Sequence, residues 1–84
     1  MNNRHRKTLE AIFSEPVLRN MKWRQIELLF LAIGCEIIEG RGSRVAFKQG
    51  EMRADFHRPH PAKEAKPYQV RAAREFLERL EVEP

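Results

Sequence analysis

Residues 36–57 read EIIEGRGSRVAFKQGEMRADFH, and the alternation of side chains in this stretch decides the fold. The two turns are marked by Gly40-Arg41-Gly42 and by Gln49-Gly50, so the stretch predicts three short antiparallel strands, the first from Glu36 to Glu39. A period of two sends one set of side chains to the core, namely Val45, Phe47, Met52, Ala54 and Phe56. The opposite face is left with Arg44, Lys48, Arg53 and His57.

Helical periodicity flanks these strands on both sides. Asn2 or Asn3 is expected to cap a first helix that ends near Ser14, before Pro16. Asn20 is expected to cap a second helix from about Lys22 to Ile33, which Gly34 terminates. The apolar residues of that helix recur on one face, and Pro67 suits the first turn of a third helix. We expect the aromatic residues of these stripes to lie in the core, namely Trp23, Phe47, Phe56 and Phe76.

The predicted order of elements is therefore α, α, β, β, β, α. A three-stranded sheet with one apolar face needs helices laid across that face, which gives a two-layer α+β sandwich. Helices on one face of an α-β-β-β-α core are the layout of double-stranded-RNA-binding domains. The first helix, at about residues 3–14, would be an addition to a core at about 22–82 within one domain spanning 1–84.

Length and composition exclude many functions. The 84 residues include one cysteine, which excludes an internal disulfide framework and a thiolate-built zinc site. The chain has no phosphate-binding glycine motif and no room for a nucleotide-binding sheet. It shows no secretory signal, and its longest apolar run, Leu28 to Ile33, is far short of a membrane span, so we expect a cytoplasmic protein without a membrane partner.

The charge of the chain is unevenly distributed. The net charge is +4, yet residues 40–74 hold nine basic and three acidic residues, while residues 75–84 hold four acidic residues and one arginine. A basic block of this kind suits a polyanion, and nucleic acid is the common one. Arg71 and Arg74 are expected on the outer side of the last helix, where they would follow an RNA backbone.

Two motifs resemble those of a known family. Gly42-Ser43-Arg44-Val45-Ala46-Phe47 resembles the G-S-H-x-x-F element of HicA-type toxins. The segment His60-Pro61-Ala62-Lys63-Glu64 resembles the H-P-x-K-E element that follows the third strand in that family. The resemblance covers about Trp23 to Leu80 and implies a toxin that cleaves mRNA without a metal and arrests growth. It also implies a HicB-type antitoxin that binds the toxin and covers its active site.

The sequence departs from the family motif at one position. Arg44 stands where the family has the histidine that is taken as catalytic. Arginine stays protonated and cannot act as a general base, but it binds phosphate and stabilises negative charge in a transition state. Three interpretations follow: the histidine role has moved, the chemistry differs, or the chain binds RNA without cutting it.

Candidate site residues follow from the chemistry of RNA cleavage, which needs a proton acceptor, a proton donor and cations. His57 and His60 are the histidines of the basic block, and either is a candidate acid or base beside Arg44. Ser43 is interpreted as a turn or phosphate-contact residue rather than a nucleophile, because no base is evident for it. The full set of candidate RNA contacts is Arg41, Gly42, Ser43, Lys48, Arg53, Arg58, Lys63 and Arg71.

No cofactor and no metal are expected, because His57 and His60 lack an evident third ligand. The predicted products are a 2′,3′-cyclic phosphate and a 5′-hydroxyl. Two other functions stay open at this point. One is a non-catalytic module that binds double-stranded RNA by shape and phosphate contacts, and the other is an interaction protein whose basic face meets an acidic partner.

Overall fold

The computed structural model describes residues 1–84 and confirms the predicted order of elements. These are α1 (Asn3–Ile12), α2 (Trp23–Ala32), β1 (Glu36–Glu39), β2 (Arg44–Gln49), β3 (Met52–His57) and α3 (Pro67–Arg79). The three strands form one antiparallel sheet in the order β1-β2-β3, so the architecture is α+β as expected. None of the helices is both long enough and apolar enough to cross a membrane.

The helix ends follow local hydrogen-bonding rules, with one difference from expectation. Asn2 caps α1, since its side chain accepts a hydrogen bond from the His5 amide at 2.8 Å. The expectation that Asn20 caps α2 is wrong. The preceding residues are extended and pair with the loop before α3, so α2 begins only at Trp23, where the Gln25 side chain accepts the Lys22 N–H. At the other end, Gly34 has a φ of +100°, and the Cys35 amide donates to the carbonyl of Phe30.

The sheet has the predicted alternation of faces. In the register of β2 and β3, Val45 lies opposite Phe56 on the core side, and Arg44 lies opposite His57 on the other side. The prediction of a core position for Met52 is wrong, because the residue is 36% exposed and lies outside the core cluster. Met52 adjoins the Gly50-Glu51 turn, where the hairpin extends beyond the packed helices.

Aromatic side chains fill the space between the sheet and the helices, as expected. Phe30 of α2 meets Phe47 of the sheet edge-on with ring centroids 4.8 Å apart, and it meets Phe76 of α3 at 5.3 Å. Trp23 packs 5.2 Å from Phe56. Such pairs contribute about 0.5–1.5 kcal/mol each beyond the area they bury. All three helices contribute to this one core, so the other face of the sheet is left to solvent.

Arg74 differs from its expected place on the outer surface of α3. Its guanidinium donates to the carbonyls of Ile12 and Ser14, both at 2.9 Å, and forms an ion pair with Glu15. The side chain therefore ties α3 to the end of α1 and is only 19% exposed. Arg71 lies on the exposed side of α3, as expected.

Candidate functional site

A groove of about 370 Å³ lies on the open face of the sheet, near the edge where β1 ends and β2 begins. Ile38 of β1 and Ala46 of β2 supply apolar lining on this face. Ala46 forms the floor of the groove, because its side chain is small and its cross-strand neighbours Ile38 and Asp55 have larger ones. The charged and titratable lining residues are Glu39, Arg41, Arg44, Arg53, Asp55 and His57.

His57 and Ser43 form a hydrogen-bonded pair beside this groove. The distance from Ser43 Oγ to His57 Nδ1 is 3.3 Å. The sequence alone had not indicated a base for Ser43, because the two residues are 14 positions apart and meet only through the β2–β3 pairing. Since Nδ1 faces the hydroxyl, Nε2 is the imidazole nitrogen without a partner in the protein. That nitrogen is free to exchange a proton with a ligand.

The backbone around His57 is held from two sides. Gln69 of α3 donates from Nε2 to the carbonyl of His57 at 2.7 Å, and Gln69 is only 2% exposed. The next amide, that of Arg58, donates to the carbonyl of Ser43 at 2.8 Å. The histidine therefore sits at the end of a strand whose position is set by a buried helix residue and by the neighbouring loop.

Arg58 is bound by two carboxylates. Its Nε donates to Glu27 Oε2 at 2.6 Å, and its two terminal nitrogens donate to the Glu39 carboxylate at 2.7 and 3.0 Å. The hydrogen bond and charge of Arg58 hold the pKa of Glu39 below its usual range, and both carboxylates raise the pKa of Arg58. The guanidinium thus already has partners inside the protein, unlike the side chains of Arg41 and Arg44, which make no ion pair.

The other candidate residues are spread around the groove. Arg53 lines it and pairs with Asp55 at 3.0 Å, and Lys48 lies opposite Arg53 in the register without being a lining residue. Gly42 has a φ of +59° in the turn before Ser43, a conformation that favours glycine. His60 and Lys63 are exposed in the loop between β3 and α3, outside the groove lining, as is Arg71 on α3.

The loop that carries the second motif is fixed at its far end. Glu64 forms an ion pair with Lys22 at 2.9 Å, which lowers the pKa of the Glu64 carboxyl, and the Trp23 amide donates to the carbonyl of Lys63. The loop therefore leaves β3 at His57 and returns to the start of α2 before α3 begins. No group of three or more His, Cys, Asp or Glu side chains is placed to hold a metal ion.

Sequence reasoning missed Glu27 as part of this region. Glu27 is 4% exposed and accepts hydrogen bonds from both the Trp23 indole and Arg58. One signal was available: Glu27 follows Trp23 by four residues and so lies on the apolar face of α2. A carboxylate on a buried face requires a partner, and a basic residue is the natural one.

The fold and the groove define a small α+β protein with a cationic site built around a histidine, a serine and arginines. The sequence matches the family model described as the HicA toxin of bacterial toxin–antitoxin systems over residues 23–81, which runs from the start of α2 to just past α3. The chain therefore belongs to the HicA toxin family, the toxins of toxin–antitoxin pairs, and the family implies a cognate antitoxin. No curated protein and no solved structure matches the chain.

Proposed function

We propose that this toxin is an endoribonuclease that cleaves mRNA, with His57 as the residue that transfers the proton. The observation that carries this proposal is the position of His57. It lines a groove with three arginines, lies opposite Arg44 and has Nδ1 within reach of Ser43. Arg44 occupies the position where the family motif has its histidine, and His57 brings an imidazole to the neighbouring position on the same face of the sheet.

The reaction proposed is transfer of the phosphate within the RNA strand. The 2′-oxygen attacks the adjacent phosphorus, the bond to the 5′-oxygen breaks, and the products are a 2′,3′-cyclic phosphate and a 5′-hydroxyl. The 2′-hydroxyl loses a proton and the departing 5′-oxygen gains one, and His57 Nε2 serves one of these transfers. The Arg44 and Arg41 guanidinium groups stay protonated, so they bind the phosphate and stabilise its developing charge.

His60 is the other histidine candidate, since it lies in the second family motif. Its exposed side chain has no hydrogen-bonding partner in the protein and is not part of the groove lining. A proton-transfer residue must lie within hydrogen-bond reach of the group it serves, so the geometry favours His57. His60 stands only three residues beyond His57, in a position to contact RNA at the rim.

The proposed partner is an antitoxin of the HicB type. The groove is open to solvent, and its free arginines and neighbouring Lys48 present positive charge to any ligand. A partner with acidic residues that covers this face would exclude RNA by occupying the same cations. RNA and antitoxin are therefore expected to compete for one surface.

A second candidate function is supported by Arg44 itself. A chain that has an arginine in place of the family's histidine retains the cations needed to bind RNA. It would then act as a non-catalytic module that binds double-stranded RNA. The two functions differ in one observable, the formation of cleavage products.

The experiment is RNA cleavage by the purified protein in excess EDTA, on one labelled and structured transcript. Wild type is compared with His57→Ala, His60→Ala and His5→Ala, the last being a matched control on α1. We expect wild type to cut the transcript. His57→Ala should still bind it but cut it at least about 100-fold more slowly, since general acid–base catalysis contributes about 10²–10⁴-fold. His5→Ala should cut at the wild-type rate.

Each other outcome has a defined meaning. If His57→Ala cuts at the wild-type rate and only His60→Ala loses cleavage, His60 is the residue that transfers the proton. Binding without cleavage by wild type would support the RNA-binding module instead. A parallel wild-type reaction with magnesium and without EDTA completes the set, and cleavage there but not in EDTA would contradict the metal-independent reaction.

A further inference from the structure

Arg58 connects several parts of the candidate site through its side chain and its backbone. Its guanidinium bridges Glu27 of α2 and Glu39 at the end of β1, and its backbone amide donates to Ser43 just before β2. It also directly follows His57 at the end of β3. One residue therefore fixes the relative positions of a helix, two strands and the loop that carries Ser43.

The buried partner makes this bridge hard to replace. Glu27 is almost fully buried, and a carboxylate in such a place must be paired and hydrogen-bonded. The Trp23 indole supplies one hydrogen bond to it, and Arg58 supplies the positive charge. The planar fork of arginine reaches both carboxylates at once, which the single ammonium group of a lysine does not do.

The bridge lies on the helix-facing side of the sheet. Glu39 is paired with Val45 in the register of β1 and β2, so its side chain is on the core side, opposite to the side of Arg44 and His57. Two hydrogen bonds from Arg58 hold the Glu39 carboxylate there. The Arg58 guanidinium is therefore engaged on the side of the sheet away from the face that would receive RNA.

We propose that Arg58 is a positioning residue: pinned between Glu27 and Glu39, it keeps His57 and Ser43 in their hydrogen-bonded arrangement and does not itself bind the RNA phosphate. This role replaces the phosphate contact that the sequence suggested for Arg58. This positioning role rests on the proposed function in one respect: the arrangement of His57 and Ser43 that Arg58 maintains is the one proposed for cleavage.

The test compares Arg58→Lys with Arg74→Lys. Arg74 is the matched control because it is also a partly buried arginine that bridges elements, but it joins α1 and α3 away from the groove. Three kinds of measurement are made: the thermal midpoint, the kinetics of RNA cleavage as kcat and KM, and the ring-nitrogen NMR signals of His57 in the free protein. Those signals report which nitrogen carries the proton and whether Nδ1 is hydrogen-bonded.

We expect both variants to lower the thermal midpoint, because each loses a guanidinium group that bridges two elements. Only Arg58→Lys should change the His57 ring signals and lower kcat by about 10- to 100-fold, the effect of a small misplacement of a reacting group. KM should stay within about threefold, since the RNA-binding arginines are unchanged. Glu39→Gln, which leaves the buried Glu27 pair intact, should give a smaller change in the same direction and serves if Arg58→Lys does not fold.

The outcome that overturns the proposal is unchanged His57 ring signals in a folded Arg58→Lys or Glu39→Gln protein. Equal losses of kcat in Arg58→Lys and Arg74→Lys at equal losses of thermal midpoint would also overturn it, because a general loss of stability would then explain both. A large rise in KM with unchanged kcat would return Arg58 to the role of phosphate ligand. The NMR comparison needs no activity, so it decides the positioning role even if wild type proves unable to cut RNA.

Discussion

At the scale of single residues, Arg44 and His57 form the pair on which the proposed chemistry depends. They face each other across β2 and β3 and line the same groove. A cation with no ion-pair partner beside a histidine is an arrangement that binds a phosphate and moves a proton at it. The pair also explains how a chain can lack the histidine of the family motif and still present an imidazole at the same end of the sheet.

Replacing Arg44 tests its role as a phosphate ligand. We expect Arg44→Ala to weaken RNA binding or turnover by about 1–3 kcal/mol, the contribution of a charge-assisted hydrogen bond. Arg24→Ala, which removes the same charge from the exposed side of α2, is the control and should have little effect. Filter binding and cleavage rates at one fixed salt concentration measure both. Wild-type behaviour of Arg44→Ala would place Arg44 outside the site.

A second substitution at the same position tests whether the histidine role has moved. If position 57 does the work of the family's histidine, Arg44→His in the His57→Ala background should restore measurable cleavage, since the two positions are cross-strand neighbours. Product formation over that of His57→Ala alone is the measurement. Failure to restore any cleavage, with RNA binding intact, would show that position 44 does not reach the reacting phosphate in this chain.

The limits of sequence reasoning are clearest at this scale. The open-face positions of Arg44, Arg53 and His57 follow from a period of two and were predicted. The partners of Arg58 were not, because Glu27 and Glu39 are 31 and 19 residues away and meet it only after the helices pack on the sheet. In the sequence, a basic residue within a basic segment gives no sign of whether it faces solvent or completes an internal ion pair.

At the scale of elements, Gln69 links the start of α3 to the end of β3. It accepts the Lys66 N–H at 2.9 Å and donates to the carbonyl of His57. Gln25 makes the same first hydrogen bond at the start of α2 but is exposed and has no second partner. The two glutamines therefore form a natural comparison between a helix cap and a cap that also positions the site.

Substitution of each glutamine separates these two contributions. We expect Gln25→Ala to lower the free energy of unfolding by about 1 kcal/mol, as for the loss of a helix cap. Gln69→Ala should cost about 2–3 kcal/mol, because it also leaves the His57 carbonyl without its partner in a partly buried place. Urea unfolding of both variants measures the difference. Equal losses would mean that the hydrogen bond to His57 contributes nothing to stability.

The elements themselves were more predictable than the contacts between them. Apolar periodicity located all three helices and all three strands in the right order, and Gly34 and Pro67 marked two of their ends correctly. The start of α2 was predicted to within one residue, but its cap was wrongly assigned to Asn20. The pairing of Met21 and Lys22 with the distant loop overrides that local preference, and no local signal announces it.

At the scale of the whole molecule, α1 belongs to the same core as the part of the chain that matches the family. The family match begins at Trp23, after α1 has ended. Even so, Leu9 and Ile12 are buried in the one hydrophobic cluster, and Arg74 bonds to the carbonyl at the end of α1. These contacts predict that α1 unfolds together with the rest of the protein and not as a separate appendage.

This prediction is tested with Ile12→Ala, which removes a fully buried side chain of α1. We expect this substitution to lower the global free energy of unfolding by about 2–4 kcal/mol, because it leaves a cavity where the Ile12 side chain packed in the shared core. Leu18→Ala, at a partly exposed residue between α1 and α2 that is outside the core cluster, is the control and should cost less. Fluorescence of Trp23, the one tryptophan, reports the core, and hydrogen exchange of the α1 amides reports the helix. Coincident transitions in both probes are expected, since one cooperative core unfolds as a unit. If the α1 amides exchange freely while Ile12→Ala leaves the Trp23 transition unmoved, α1 is an independent addition, and any role it has must lie in contacts with a partner.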